Sequence, residues 1–135
     1  MALTILDAGV VIGVLDADDL HHVAARNALG AALARGDQLS MPASAYAECL
    51  VAPARRGRDA MSAVDDFLAD LPAEVEPITL QLASRAAQLR AKHGSRLRLP
   101  DALVLATALH LKAALVLTTD AGWPRTTVAV EVVGG

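Results

Sequence analysis

Residues 97–120 read LRLPDALVLATALHLKAALVLTTD, and the spacing predicts one helix followed by one buried strand. Leu99-Pro100-Asp101 is a helix start: Pro suits the first turn, and an acid there faces the positive end of the helix dipole. Leu103, Leu105, Ala106, Leu109 and Leu111 recur with helical spacing, and Lys112-Ala113-Ala114 closes the helix. Leu115-Val116-Leu117 is short and wholly apolar, as a strand covered on both faces must be. Asp101 therefore opens a helix, and Asp120 follows the end of the next strand. In an open parallel sheet, ligands gather outside the carboxyl ends of the strands.

Working outward, two more acids fall in equivalent places. Leu3-Thr4-Ile5-Leu6 is a short apolar strand with Asp7 directly after it. Gln38 to Met41 reads as a second strand, and the helix that follows, from Pro42-Ala43-Ser44 to about Ala52 before Pro53, contains Glu48. Its neighbours Tyr46, Ala47, Cys49 and Leu50 are small or apolar, which points Glu48 inward. The remaining elements alternate with these. Helices are expected over Ala8–Leu15, Leu20–Arg35 (Val23, Leu29, Ala32 and Leu33 coreward) and Ala60–Leu71, and from the Thr79 cap to about Lys92. A basic turn is expected at Arg55-Arg56-Gly57-Arg58, strands at Glu74–Ile78 and Thr126–Val133, and a frayed end at Gly134-Gly135. The order β-αα-β-αα-β-α-α-β-β predicts an α/β fold. A central parallel sheet of four to five strands would carry helices on both faces, as a single domain over residues 1–135.

The chain has 135 residues, is rich in aliphatic side chains, and has one Tyr, one Phe and one Trp. Its core must be aliphatic. Apolar runs are broken too soon for a membrane span, and a basic leader is missing, so no membrane association or export is expected. The single Cys49 rules out an internal disulfide and suits a reducing, cytoplasmic setting; it reads as a small core residue. A net charge of −3 argues against a broad basic nucleic-acid surface. Zinc-type Cys/His spacing, the P-loop, GxGxxG and GxSxG are all missing from the sequence.

Four carboxylates in one pocket repel, and a hard divalent cation such as Mg²⁺ or Mn²⁺ is the natural neutraliser. A site of that kind supports phosphodiester hydrolysis. Each acid also has a plainer reading. Asp101 suits a helix start, Asp7 a loop after a strand, and Asp120 a turn before Gly122, while Glu48 also fits a narrow exposed stripe.

The ordered elements Leu6-Asp7-Ala8, Glu48, Leu99-Pro100-Asp101-Ala102 with Ala106-Thr107-Ala108, and Leu117-Thr118-Thr119-Asp120 resemble the PIN-domain family. Within it they are similar to the VapC-like ribonuclease toxins of toxin–antitoxin pairs. The resemblance covers nearly the whole chain. It implies a metal-dependent endoribonuclease with Asp7, Glu48, Asp101 and Asp120 as Mg²⁺ or Mn²⁺ ligands and catalytic residues. It also implies Thr118 as a hydroxyl that orients the last acid or a water, a homodimer, and a cognate antitoxin covering the site. The chain departs from that pattern at Gly9, where many relatives carry Ser or Asn, and at Trp123, where Phe is commoner; the tryptophan is expected to alter only packing. His21 and His22 read as structural or surface residues. RNA would be guided by Arg90, Lys92, His93, Arg96 and Arg98, ahead of Arg55, Arg56 and Arg58. Two other readings compete: a silent module of the same fold that docks RNA or a protein, and a phosphoryl-accepting domain. The second would want an acid pair after the first strand and a later Lys.

Overall fold

Short apolar runs made strands here, and each is followed by a residue that starts a helix. The structure, a computed structural model, describes residues 1–134. Its elements are β1 (Leu3–Leu6), α1 (Ala8–Leu15), α2 (His22–Ala34), β2 (Gln38–Pro42), α3 (Ala43–Arg56), α4 (Arg58–Asp70), β3 (Ala73–Glu76), α5 (Leu80–His93), α6 (Leu99–His110), β4 (Leu115–Thr118) and β5 (Val130–Val132). Asp7 caps α1 through its own carboxylate, and the Thr79 hydroxyl caps α5 by accepting from Leu82 N at 3.1 Å.

All strand pairs are parallel, and the order across the sheet is β3-β2-β1-β4-β5. The chain lays β1, β2 and β3 outward in one direction. It then returns through α5 and α6 to place β4 on the other side of β1, with Leu6 beside Leu117. The direction of winding thus reverses between β1 and β4, where open α/β sheets form their ligand crevice. Among the described residues, six α-helices flank the sheet. Ile5, Leu6, Val10, Val11, Met41, Val116 and Leu117 are fully buried in an aliphatic core. Helix α6 is enclosed round most of its circumference, burying Ala102, Val104, Leu105, Ala106 and Ala108.

Several boundaries differ from the sequence expectation. Helix α3 does not stop before Pro53 but continues to Arg56, with the buried Pro53 inside it. Proline costs one helical hydrogen bond, which packing of the ring offsets here. The helix ends instead at Gly57, whose φ of +113° breaks the backbone. Arg55 and Arg56 are consequently the last turn of α3 and Arg58 begins α4, rather than all forming a basic turn. Helix α2 starts at His22, and Val23 is 69% exposed rather than coreward, with Leu33 also exposed. Its buried face is Ala25, Leu29 and Ala32, because α1 approaches closely over Gly13. A Cβ there would stand 3.1 Å from the Cβ of Ala25. β3 ends at Glu76, and β5, at the edge of the sheet beside β4, spans three residues. Gly134 packs against His21, where a Cβ would lie 3.0 Å from the ring. Gly135, the other half of the expected frayed end, lies outside the described residues.

Candidate metal centre

The two ends of the winding reversal are tied by one side-chain contact. Asp7 directly follows β1. Its Oδ1 accepts from Ala8 N at 2.8 Å, and its Oδ2 accepts from the Thr118 hydroxyl at 2.8 Å. Thr118 is fully buried at the end of β4, and its oxygen in turn accepts from Asp120 N at 3.1 Å. One hydroxyl therefore fixes both the carboxylate after β1 and the backbone before the acid after β4. Thr118→Val is expected to cost about 2 kcal/mol of stability, the scale of losing a hydrogen bond to a charged group. It is also expected to weaken Mn²⁺ binding about tenfold, as loss of an outer support does; urea unfolding and calorimetric titration check these. Thr118→Ser should restore both.

Asp101 sits in the first turn of α6 and is only 9% exposed. Burial, followed by the charges of Asp7 and Asp120, pushes its carboxyl up to about 6, against a smaller pull from Arg98 and the Trp123 N–H. Asp7 is also raised, first by burial and then by Asp120, with the bonds from Thr118 and Ala8 opposing. Glu48 is raised by burial and then by the charges of Asp7 and Asp101, with Arg98 opposing. All four acids thus share one electrostatic neighbourhood at the carboxyl edge of the sheet. Asp7 and Asp101 are the more enclosed pair. Glu48 and Asp120 are exposed, so Glu48 does not point into the core as its neighbours suggested. Cys49 takes the inward place on α3, since α3 turns its small and apolar residues to the sheet.

Among the described residues, no three His, Cys, Asp or Glu side chains are gathered into a ready ligand set. The acids nevertheless fit a hard divalent cation by their chemistry. They supply only oxygen donors, and burial followed by mutual repulsion raises the carboxyls of Asp7, Glu48 and Asp101, a cost that a cation relieves. Cysteine chemistry is disfavoured: burial and the charges of Glu48 and Asp7 push the Cys49 thiol up to about 12. His22 Nδ1 lies 2.7 Å from the Gly13 carbonyl and His21 Nδ1 lies 3.6 Å from Asp19, so both serve the α1–α2 connection.

A cavity of about 460 Å³ lies at the opposite edge of the sheet, lined by Leu3, Asp37, Gln38 and Leu111 among others, and holds none of the four acids. The acid site borders a second groove of about 380 Å³, where Glu48, Asp16 and Arg56 rim an apolar floor including Ile12, Pro53 and Val64. Of the basic residues expected to guide RNA, Arg98 is the one whose charge reaches the acids. It is the N-cap of α6 and acts on both Glu48 and Asp101.

The sequence profile of the PIN domain matches residues 4–129. The chain belongs to the PIN domain family. No curated protein matches it in sequence. Among solved structures, it is similar to the Mycobacterium tuberculosis toxin VapC20, a sarcin–ricin loop cleaving toxin. The TM-score is 0.68 at 19% identity, over 84% of this chain and 86% of that one. It is similar to VapBC2 from Rickettsia felis, bound to a DNA fragment from its promoter. There the TM-score is 0.75 at 15% identity, over 96% of this chain and 97% of that one. A toxin–antitoxin complex from Klebsiella pneumoniae gives a TM-score of 0.69 at 21% identity, over 90% and 96% of the two chains. At these identities the likeness is one of fold.

Within the PIN fold, two residues do more than their sequence suggested. Among the described residues the buried Trp123 indole N–H has no hydrogen-bond partner, yet it lies near enough to Asp101 to lower that carboxyl. A phenylalanine offers no such donor, so the tryptophan does not alter packing alone. Thr119 fills the space over Gly9. The only sequence signals for either were a doubled hydroxyl before Asp120 and the chain's one indole.

Proposed function

We propose that this PIN domain, acting as one unit over residues 1–135, is a divalent-metal-dependent endoribonuclease and the toxin of a toxin–antitoxin pair. The observation that carries this reading is the enclosed Asp7–Asp101 pair at the β1–β4 winding reversal, with Glu48 and Asp120 beside it. Asp7, Glu48, Asp101 and Asp120 would hold Mg²⁺ or Mn²⁺. When bound, such a cation supplies charge stabilisation and an activated water for phosphodiester hydrolysis. The chain's own groups do the positioning. Thr118 holds the Asp7 carboxylate, the Asp7 carboxylate caps α1, and the dipole of α6 favours the ionised Asp101.

Arg98 is exposed beside Glu48 and Asp101 and is the residue placed to meet a phosphate of RNA entering the site. Arg98→Ala is expected to weaken RNA binding about equally for all sequences and to lower the salt slope by about one. Fluorescence anisotropy in EDTA over a salt series measures both. Three aromatic side chains in the whole chain leave little for base stacking, so RNA shape and backbone would set specificity.

A homodimer and a bound antitoxin are supported by apolar residues left uncovered on α2 and α3, and just before α2. Leu20 is 92% exposed, and Val23, Leu33 and Val51 are also open. A cytoplasmic setting accords with the buried, protonated Cys49; among the described residues no helix is long and apolar enough to cross a membrane. The test is cleavage of total cellular RNA by purified protein with Mn²⁺ or Mg²⁺, against EDTA and Asp101→Asn. Fragments that require both the metal and Asp101 support the nuclease. No cleavage and no metal binding would favour a silent module that docks RNA or a protein.

A further inference from the structure

Residues leaving a strand alternate in direction, so Thr118 and Thr119 send their hydroxyls to different places. Thr118 bonds Asp7. Thr119 lies over Gly9, in the first turn of α1 that Asp7 caps. A Cβ built on Gly9 would collide with Thr119 Oγ1, while Thr119 Cβ and Cγ2 stand 3.4 Å from it. The hydroxyl of Thr119 therefore occupies the volume that a side chain at position 9 would take. Thr119 is half-buried, so water reaches it, and it immediately precedes the exposed Asp120. Gly9 follows Asp7 by two residues. The hydroxyl is thus held between the turn that carries one acid and the loop that carries another.

We propose that Thr119 is a positioning residue of the acid site. Seated over Gly9, it ties the first turn of α1, which Asp7 caps, to the loop that carries Asp120 and so sets both carboxylates for a divalent cation, and Gly9 is the residue that admits it. This rests on the metal-site reading above. Threonine can turn its hydroxyl away when crowded, so a methyl at position 9 acts on this same group without removing it. The two positions should then behave as one element rather than as two independent ones.

The experiment is Mn²⁺ titration by calorimetry, without RNA, on the wild type, Thr119→Ala, Thr119→Ser, Gly9→Ala and the Gly9→Ala/Thr119→Ala double variant, with metal-free melting measured beside it. Thr119→Ala is expected to bind Mn²⁺ about tenfold more weakly, the usual loss for an outer support of a metal site. Thr119→Ser should bind as the wild type does. Gly9→Ala should show the same loss as Thr119→Ala, and the double variant should be no weaker than either. Wild-type binding with unchanged affinity in Thr119→Ala would overturn this inference and leave Thr119 as packing. Losses that add in the double variant would overturn the pairing of Gly9 with Thr119. A wild type that binds no Mn²⁺ would overturn the metal site itself, which separates the two failures.

Discussion

Asp101→Asn should abolish metal-dependent RNA cleavage and at the same time make the metal-free protein more stable. Asp101 is nearly buried and faces the charges of Asp7 and Asp120, so its ionised form is costly without a cation. The amide keeps the shape, removes one negative charge, and can donate to a neighbouring carboxylate. The metal-free variant is expected to melt about 3–5 °C higher, the shift that roughly 1 kcal/mol gives in a domain of this size. Cleavage should fall by at least about 10²-fold, as when one group that stabilises a transition state is lost. Calorimetry and gel analysis of RNA read the two effects separately. A variant that loses activity and also melts lower would mean that Asp101 serves the fold and not the site.

The second large effect is on pH. Asp101 has its pKa raised to about 6, and Asp7 and Glu48 shift in the same direction. A carboxyl raised above its unfolded value holds its proton more tightly when folded. Its contribution to stability is full below its unfolded pKa and is lost as pH rises through about 6. The stability of the metal-free wild type relative to Asp101→Asn should therefore fall between about pH 4 and pH 6.5; this difference cancels groups elsewhere in the chain. Metal binding must displace that proton. With this pKa, roughly one Asp101 in ten is ionised near pH 5 and roughly nine in ten near pH 7. Mn²⁺ affinity should accordingly rise about tenfold over that range, and binding near pH 6 should release protons. Titrations in buffers of different ionisation enthalpy measure the release. A flat affinity over the range would show that Asp101 is not a ligand.

Much of this was legible in the chain itself. Apolar runs at Leu3–Leu6 and Leu115–Leu117, the Thr79 cap and the Leu99-Pro100-Asp101 start are local signals, and the elements they announced formed where expected. An acid placed just after a strand or in the first turn of a helix is likewise a local fact. The identities of Asp7, Asp101 and Asp120 as site candidates therefore needed no tertiary information.

Other features depended on segments far apart in sequence. Nothing within residues 1–42 or 97–120 alone states that β4 lies against β1; that follows from how the crossovers pack, and it is what joins Thr118 to Asp7. The exposure of Glu48 depended on which face of α3 met the sheet, and the passage of α3 through Pro53 on burial of that ring. Gly9 looked like a missing polar group in the sequence, and only the fold brought the hydroxyl of Thr119 into its place. Periodicity and capping act over a few residues, so the sequence by itself determined the elements and the acids they carry. Strand order and side-chain direction are set by remote packing, so the tertiary structure decided which acids share a field and what supports them.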